Sequence, residues 1–286
     1  AAIWGLESAF GDYPLDFDAP EALATLAWEG RRREYFEDEL YAVMEIISSG
    51  FAERDELASG WAGAMGQTQF MPTMYLRRAV DHDDDGRRDI WHSTDALAST
   101  ANYLSQAGWR TGEPWGVEVH LPEGFDHALA DGRRRSVGAW AVEGVSRADG
   151  GLWDGPAQFL RARLLLPAGA SGPAFLTFEN FEVFKRYNNA TSYALAAGLL
   201  GDAIADRGGV EAAWPRHEQT LTRTEVMELQ RALTSLGYDT SGIDGRVGPN
   251  TQAAIRSFQA DRGLPADAFA TASLLERART DLAAAE

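Results

Sequence analysis

A single glutamate near the start of the chain lies within an apolar helical pattern. Glu7 shares the face of a predicted helix, Ala1–Phe10, with Ile3, Trp4 and Phe10 at spacings of three and four residues. Burial on such a face disfavours the ionised carboxylate and therefore raises the pKa of a glutamate. A glutamate that stays protonated near neutral pH can act as a general acid, which cleavage of a glycosidic bond requires. The alternative is a rim glutamate at the end of a core stripe.

A glycine-rich segment is the second candidate for chemistry. Residues 60–75 read GWAGAMGQTQFMPTMY, and the closely spaced Gly and Ala residues let backbone segments approach one another. Gln69, Phe70 and Met71 then supply polar and apolar side chains of the kind that line ligand clefts. We therefore expect this segment to form the floor of a cleft. The alternative is a glycine-rich turn before a helix, with Met65 and Met71 as core residues.

The segment DHDDDGR is the third candidate. It places Asp81, Asp83 and Asp85 at positions 1, 3 and 5 with glycine at position 6, which is the ligand spacing of an EF-hand-type calcium loop. Position 12 is His92, a poor calcium ligand, so the loop needs a later carboxylate, which Asp95 at position 15 can supply. The spacing predicts a calcium site, and the alternative is a solvated acidic loop.

Composition excludes several classes of function. The 286 residues include 43 acidic and 26 basic side chains, and the formal net charge of −17 disfavours nucleic acid or an anionic membrane as partner. The absence of cysteine excludes disulfides, thiolate metal sites and cysteine nucleophiles. No apolar run approaches the roughly 20 residues of a membrane-spanning helix. We predict a monomer without a transmembrane segment, cut from a longer chain because neither Met nor a signal region precedes Ala1.

Hydrophobic periodicity indicates which elements must position these candidates. Helices are predicted at Ala1–Phe10, Pro20–Trp28, Arg33–Ser49, Thr94–Ala107 and Thr191–Arg207. Short apolar runs at Gly116–Leu121, Arg161–Leu166 and Phe175–Phe178 predict strands of a small sheet. The sequence therefore predicts a mainly α (α+β) protein.

The last 65 or so residues are predicted to fold separately. Residues 208–220 have the Gly, Pro and polar composition of a linker. After them, Leu229, Leu233 and Leu236 lie on one face of a helix, and Ala254, Ile255 and Phe258 indicate a second helix. We predict a small three-helix domain over residues 221–286.

Six segments, in this order, resemble the lytic murein transglycosylase B family. They are GLESAFG, EALATLAWEGRRREYF, GWAGAMGQTQFMP, the acidic loop with Trp91 and Asp95, ASTANYLSQAGW and FKRYNNATSYALA. The resemblance implies a lysozyme-like helical catalytic domain over residues 1–218, truncated at its N-terminus, with a small sheet-bearing region at about 116–178. Residues 221–286 resemble the type 1 peptidoglycan-binding domain, although Ala268 and Ala270 replace common glycines.

The resemblance also implies roles for particular residues, with Glu7 as the sole catalytic acid and base. The saccharide groove would be lined by Gln69, Phe70, Met71, Tyr103, Tyr187, Asn188 and Tyr193. Arg31 and Arg32 would face the peptide-bearing sugar, with Arg32 and Arg33 as the alternative pair. A structural Ca²⁺ would be held by Asp81, Asp83, Asp85, the carbonyl of Arg87 and Asp95, and no organic cofactor is expected. Gly60 replaces a family serine that bonds the catalytic carboxyl, so Ser59 either substitutes for it or the bond is absent.

The activity that the resemblance implies is that of a peptidoglycan lytic transglycosylase. Such an enzyme cleaves the MurNAc-GlcNAc β-1,4 bond and leaves 1,6-anhydroMurNAc ends, here in the periplasm or cell envelope of a bacterium. The partners would be peptidoglycan glycan strands. Two alternatives are a lysozyme-type muramidase, which hydrolyses the same bond, and a non-catalytic calcium-dependent scaffold that binds the cell wall.

Overall fold

The computed structural model describes residues 1–285, which are mainly helical with two small antiparallel sheets. The helices are α1 (Ala2–Ser8), α2 (Ala19–Glu29), α3 (Arg33–Ser48), α4 (Pro72–Arg78), α5 (Ser93–Gln106), α6 (Val137–Val142), α7 (Glu179–Tyr187), α8 (Thr191–Ile204), α9 (Arg223–Ser235), α10 (Pro249–Ala260) and α11 (Ala272–Ala285). The strands are β1 (Phe17–Asp18), β2 (Ala58–Ser59), β3 (Gly116–His120), β4 (Arg135–Ser136), β5 (Ser146–Arg147), β6 (Arg161–Leu165) and β7 (Ala174–Thr177). The mainly α (α+β) fold predicted from the sequence is confirmed.

The chain forms two compact units. The first combines residues 1–112 with 180–209, and the second combines residues 113–179 with the chain from Val210 onward. The sheet-bearing region thus groups with the C-terminal helices. The functional boundary between residues 218 and 221 stays a prediction.

The first unit is built around the helices α2 and α3, which pack against each other. Asp18 accepts a hydrogen bond from the backbone N–H of Glu21 (2.9 Å) and so caps α2, which ends at Gly30 with φ of 89°. Leu23 of α2 and Val43 and Ile46 of α3 are fully buried in the same core. This core supports the glycine-rich segment that precedes α4.

Glycines of that segment allow a close approach of backbone to its neighbours. A Cβ on Gly63 (φ 81°) would lie 2.5 Å from the Leu23 side chain, and one on Gly66 (φ 59°) would lie 2.7 Å from the carbonyl oxygen of Ile90. A larger residue would therefore clash and would also be strained at these φ values. The predicted role of these glycines in close packing is confirmed.

The second unit contains a five-stranded antiparallel sheet in the order β4-β6-β7-β3-β5. The three predicted strands correspond to β3, β6 and β7, which form its centre. Trp140 of α6 is fully buried against this sheet and donates its indole N–H to the carbonyl of Ala162 (3.1 Å). The helices α4, α6 and α7 were not predicted.

The C-terminal helices α9, α10 and α11 enclose their own core, so the three predicted helices are confirmed. Thr222 and Glu225 form a capping box at the start of α9. The buried amide of Gln230 binds Asp244, the N–H of Gly245 and Thr251, and thereby fixes the turn between α9 and α10. Ala268 has φ of 60°, which explains why a glycine is common at this position.

Side chains fix the C-terminal helices to the sheet-bearing region within the second unit. Arg256 donates to the carbonyl of Ala130 (2.8 Å), and Asp267 accepts from the N–H of Ala170 (2.8 Å). Glu118 of β3 accepts from the backbone N–H groups of Glu211 and Ala212, at 2.8 Å each. The segment 208–220, predicted as a linker, is therefore tied to the sheet.

No helix among residues 1–285 combines the length and apolar character needed to span a membrane.

Candidate active site

Glu7 lies on α1 and forms a short hydrogen bond with a tyrosine of α8. The Tyr193 hydroxyl donates to Glu7 Oε1 at 2.6 Å. Burial raises the pKa of the Glu7 carboxyl, and the hydrogen bond from Tyr193, which favours the carboxylate, partly opposes that rise. The sequence prediction of an elevated pKa at Glu7 agrees with this geometry. Glu7 therefore stays protonated to a higher pH than an ordinary glutamate does.

The predicted helix Ala1–Phe10 is shorter in the structure. It ends at Ser8 because Ala9 and Phe10 adopt left-handed conformations, with φ of 48° and 63°. The Phe10 ring nevertheless folds back onto the helix and meets Trp4 edge to face, with ring centroids 5.4 Å apart. Left-handed backbone costs about 1 kcal/mol or more at a residue with a Cβ. Two such residues follow the helix that carries Glu7, and such strain is common at functional sites.

A row of aromatic rings extends from Tyr193. The Tyr187 ring is stacked parallel to that of Tyr193 with centroids 6.4 Å apart and meets the Tyr103 ring edge to face at 4.8 Å. Phe70 lies 6.0 Å from both Tyr103 and Tyr187. Burial, followed by the nearby Glu7 carboxylate, raises the pKa of Tyr187 and of Tyr193, so both hydroxyls stay protonated hydrogen-bond donors. Glu7 and four of the predicted groove residues are therefore brought together.

The other predicted groove residues lie beside this row. Gln69 has φ of 53° and donates its side-chain amide to the carbonyl of Gly66 (2.9 Å). Met71 is the residue immediately before α4, and its side chain packs against the core of the first unit. Asn188 is exposed and accepts from the N–H of Ala190 (3.1 Å) in the turn between α7 and α8.

Ser59 does not replace the family serine. Its hydroxyl is fully buried and donates to the backbone carbonyls of Phe17 (3.2 Å) and Gly60 (3.0 Å). A Cβ on Gly60 would lie 3.2 Å from Oε1 of Gln69, so a side chain there would meet the glutamine. The sequence left two possibilities, and the second applies: the hydrogen bond from a serine at this position to Glu7 is absent. The hydroxyl that binds Glu7 comes from Tyr193 instead.

The arginine pair lies in the exposed turn between α2 and α3. Arg31 donates its backbone N–H to Glu29 (3.1 Å), and the Arg32 guanidinium lies 4.0 Å from the centre of the Tyr35 ring. Arg33 is the first residue of α3 and lies 3.9 Å from Glu37. No hydrogen bond or ion pair among residues 1–285 joins these arginines to Glu7.

Three of the predicted calcium ligands converge in the first unit. One carboxylate oxygen each from Asp81, Asp83 and Asp95 lies within 4.8 Å of the others. Oδ1 of Asp81 is buried without a hydrogen-bond partner, an arrangement that costs free energy unless a donor or cation is present. Asp95 accepts from the N–H groups of His82 (2.9 Å) and Asp89 (2.8 Å), which hold it in place.

The remaining loop residues are placed differently. Asp85 is outside this group of three and accepts from the backbone N–H of Arg87 (2.8 Å). The Arg87 guanidinium pairs with Glu56 at 2.6 Å and ties the loop to the rest of the unit. His92 is largely exposed and binds Asp89 (2.6 Å), in keeping with the sequence argument that it is not a calcium ligand.

Two side chains that support the site were not predicted. Glu39 is buried and accepts two hydrogen bonds from Thr73, one from the backbone N–H and one from the hydroxyl, each of 2.8 Å. It thereby fixes the start of α4, immediately after Met71. Gln67 joins α1 to the glycine-rich segment through Trp4 (2.7 Å). In the sequence, Glu39 reads only as a glutamate on the surface of a helix, and no sequence feature indicated the role of Gln67.

The site and the fold agree with matches to two family models. Residues 1–202 match the family described as Transglycosylase SLT domain, and residues 222–277 match the family described as Putative peptidoglycan binding domain. The chain belongs to the SLT transglycosylase family. The match to the peptidoglycan-binding family falls on the C-terminal helices α9, α10 and α11.

Individual relatives agree with this family. The chain is 33% identical over 214 residues to membrane-bound lytic murein transglycosylase B of Escherichia coli (strain K12), which covers 71% of this chain and 55% of the relative. The present chain therefore spans about half the length of that relative. The crystal structure of SltB3 from Pseudomonas aeruginosa in complex with NAG-anhNAM-pentapeptide matches with a TM-score of 0.92 at 47% identity, covering 97% of this chain and 75% of that chain.

A second solved structure matches a smaller share of the chain. The Escherichia coli lytic transglycosylase Slt35 in complex with calcium matches with a TM-score of 0.60 at 32% identity, over 72% of this chain and 65% of that chain. The structural neighbours are lytic transglycosylases, and the predicted lysozyme-like fold is confirmed.

Proposed function

We propose that this SLT-family protein is a peptidoglycan lytic transglycosylase that uses Glu7 as its single acid and base. The observation that carries the proposal is the half-buried Glu7 carboxyl, bound by Tyr193 at 2.6 Å at one end of a row of aromatic rings. Aromatic faces suit the apolar faces of sugar rings, and the buried carboxyl supplies the proton. The P. aeruginosa relative is described with bound NAG-NAM-pentapeptide and NAG-anhNAM-pentapeptide, which supports a peptidoglycan strand as substrate.

The reaction follows from one carboxyl and one tyrosine. Glycosidases that add water generally use two carboxylates beside the scissile bond, whereas the hydrogen-bond partner of Glu7 among residues 1–285 is a tyrosine hydroxyl. Glu7 donates its proton to the bridging oxygen as the MurNAc C1–O bond breaks. The carboxylate, bound by Tyr193, then accepts the proton of the C6 hydroxyl of the same sugar as O6 bonds to C1. The product is a 1,6-anhydroMurNAc end, and no water is consumed.

The intramolecular nucleophile explains why a second carboxylate is unnecessary. A hydroxyl held on the same sugar ring has a high effective concentration at C1, so it does not need the activation that a free water needs. The protein then contributes mainly a proton, a cleft and orientation. A lysozyme-type muramidase, which would add water at C1, is the alternative outcome of the product analysis described below.

Substitution of Glu7 by Gln tests the assignment. The amide keeps the shape of the side chain but cannot donate and recover a proton, so release of soluble fragments from purified sacculi should fall by about 100- to 10,000-fold. The exposed glutamate Glu45 of α3 provides a matched control, and Glu45→Gln should leave the rate unchanged. Turnover by Glu7→Gln at close to the unsubstituted rate would reject Glu7 as the acid, whereas a lack of soluble fragments from the unsubstituted protein would favour the non-catalytic scaffold.

We further propose that the acidic loop binds a structural Ca²⁺. The chemistry of the donors fits, because Ca²⁺ prefers carboxylate and carbonyl oxygens, three carboxylates converge here, and Oδ1 of Asp81 is buried without a hydrogen-bond partner. Asp81, Asp83 and Asp95 would hold the ion, with Asp85 and the Arg87 carbonyl as additional ligands. The ion would stabilise the loop and the start of α5, and it takes no part in the proton transfers at Glu7.

We propose that the C-terminal helices retain the enzyme on the cell wall. The match of residues 222–277 to a peptidoglycan-binding family supports this role, and relatives that act on murein support location in the cell envelope. Within the envelope, the periplasm is the compartment that exposes the enzyme to its polymer substrate. The net charge of −17 disfavours nucleic acid as a partner.

A further inference from the structure

Gln67 forms hydrogen bonds in three directions between α1, its own loop and the segment before α5. Its Oε1 accepts from the indole N–H of Trp4 at 2.7 Å, and its Nε2 donates to the carbonyl of Trp91 at 2.7 Å. Its backbone N–H donates to the carbonyl of Ile90 at 2.8 Å. Because an indole only donates and a carbonyl only accepts, these partners fix the orientation of the amide.

The Trp4 end of this connection acts on the catalytic helix. Trp4 lies one helical turn before Glu7, and α1 is only seven residues long, with no side-chain cap at its start. Helices this short are unstable without tertiary contacts. The amide of Gln67 also packs against the segment that follows α1, since a Cβ on Gly11 would lie 2.9 Å from Nε2 of Gln67. Gln67 therefore contacts the chain on both sides of Glu7.

The Trp91 end is held by the acidic loop. The backbone N–H of Trp91 donates to Asp89 (3.0 Å), and the N–H of Asp89 donates to Asp95 (2.8 Å), one of the converging carboxylates. The indole of Trp91 also donates to the carbonyl of Ala58 (2.8 Å), next to the glycine-rich segment. The anchor for Gln67 is thus itself fixed on two sides.

We propose that Gln67 is a positioning residue that holds α1, and with it Glu7, at a fixed distance from the substrate cleft through the Trp4 indole. The inference rests on the proposed role of Glu7 as the catalytic acid. Loss of the bond would leave α1 free to shift, and displacements of about 1 Å at a catalytic group can cost on the order of 100-fold in rate. The hydroxyls of Tyr103 and Tyr187 donate to the backbone carbonyls of Arg186 and Thr68, so loss of the Trp4–Gln67 bond removes neither of these hydrogen bonds.

Substitutions of Gln67 and of Trp4, the two partners in the hydrogen bond, test the proposal. Gln67→Leu removes both side-chain bonds at similar size, Trp4→Phe removes only the indole donor, and Gln106→Leu changes an exposed glutamine of α5 as control. With soluble glycan fragments, we expect Gln67→Leu and Trp4→Phe to lower kcat about 10- to 100-fold while KM changes less than about threefold. The double variant should lose no more than Gln67→Leu alone, since both remove the same bond.

A pH profile separates positioning from general loss of stability. When α1 loosens, water reaches the Glu7 carboxyl, so the basic limb of kcat/KM should move to lower pH in Gln67→Leu at temperatures where circular dichroism shows a folded protein. Unchanged kcat and an unmoved limb in folded Gln67→Leu, or strictly additive losses in the double variant, would overturn the proposal. Glu7→Gln is assayed in parallel, because an active Glu7→Gln rejects the catalytic assignment itself, whereas inactive Glu7→Gln with fully active Gln67→Leu rejects only the positioning role.

Discussion

At the scale of single residues, two opposing influences set the pKa of the Glu7 carboxyl, the proposed catalytic acid. Burial raises the pKa of Glu7, and the Tyr193 hydroxyl lowers it by binding the carboxylate. For the proposed reaction, burial favours the protonated acid that the first proton transfer needs, and the Tyr193 hydrogen bond favours the carboxylate that the second needs. Within the proposed function, Tyr193 is therefore a positioning residue that acts through its hydrogen bond to Glu7.

Tyr193→Phe should shift the pH dependence of the enzyme. The ring remains but the hydrogen bond to the carboxylate is lost, so the pKa of Glu7 should rise further. A general acid is lost as pH rises through its pKa, and the basic limb of kcat/KM should therefore move to higher pH. Because a hydrogen bond to a charged group contributes about 1.5 to 3 kcal/mol, kcat should fall about 10- to 100-fold.

Rates measured on soluble glycan fragments across a pH series check this prediction. Tyr13→Phe, at a largely exposed tyrosine, is the matched control and should leave the profile unchanged. A basic limb that stays in place or moves to lower pH in Tyr193→Phe would contradict the assigned role of the hydroxyl.

The raised pKa of Glu7 could be predicted because its sequence signal is local. Spacing along a helix predicts that Glu7 shares an apolar face, and burial follows from that face. The contact between Glu7 and Tyr193 joins residues 186 positions apart, so no local pattern predicted it, and the family resemblance placed Tyr193 only in the groove. The left-handed Phe10 was missed because non-glycine residues rarely adopt this conformation and no side-chain type marks it clearly.

At the scale of elements, the longest helices were the ones that the sequence pattern predicted most readily. The helices α2, α3, α5 and α8 are 11 to 16 residues long and show clear periodicity. The unpredicted helices α4 and α6 have 7 and 6 residues, too few to establish a period. The two-residue strands β1 and β2 pair residues about 40 positions apart, and no local sequence pattern predicts such a pairing.

The acidic loop should bind Ca²⁺ and stabilise the folded protein. Binding to the native state at about 100 times Kd contributes ~2.7 kcal/mol, which corresponds to a rise of several degrees in Tm. Asp81→Asn combined with Asp83→Asn should abolish the rise, because it removes two of the three converging carboxylates. Differential scanning calorimetry of metal-free protein with and without calcium measures this.

The neighbouring Asp84 supplies a matched control within the same loop. Its φ is 61°, which asparagine tolerates as well as aspartate does, and it is not one of the three converging residues. Asp84→Asn should therefore retain most of the calcium-dependent rise in Tm. A Tm that is the same with calcium and with chelator would reject the site.

At the scale of the whole molecule, residues 221–286 should supply retention on the wall and none of the chemistry. Glu7 and every groove residue assigned above lie before position 194. A second binding surface on the same polymer raises the effective concentration of the cleft, and gains of about 100-fold in avidity need no new contact at the cleft. On short soluble fragments this advantage is absent.

A chain ending near residue 215 tests this division of roles. It should cleave short soluble glycans at close to the full-length rate and should co-sediment poorly with purified sacculi. Because the truncation uncovers the contacts of Ala130 and Ala170 with Arg256 and Asp267, its Tm is measured first and the assays are run well below it. A folded truncated protein that is inert on soluble fragments would mean that the C-terminal helices complete the active site.

The mass of the reaction product tests the central claim most directly. If Glu7 first protonates the bridging oxygen and then accepts the C6 hydroxyl proton of the same sugar, digestion of purified sacculi releases fragments that end in 1,6-anhydroMurNAc. Mass spectrometry of the soluble fragments, with Glu7→Gln as the blank, should find this anhydro end as the major product. Fragments heavier by one water, with an ordinary reducing end, would contradict the account and identify the protein as a hydrolase.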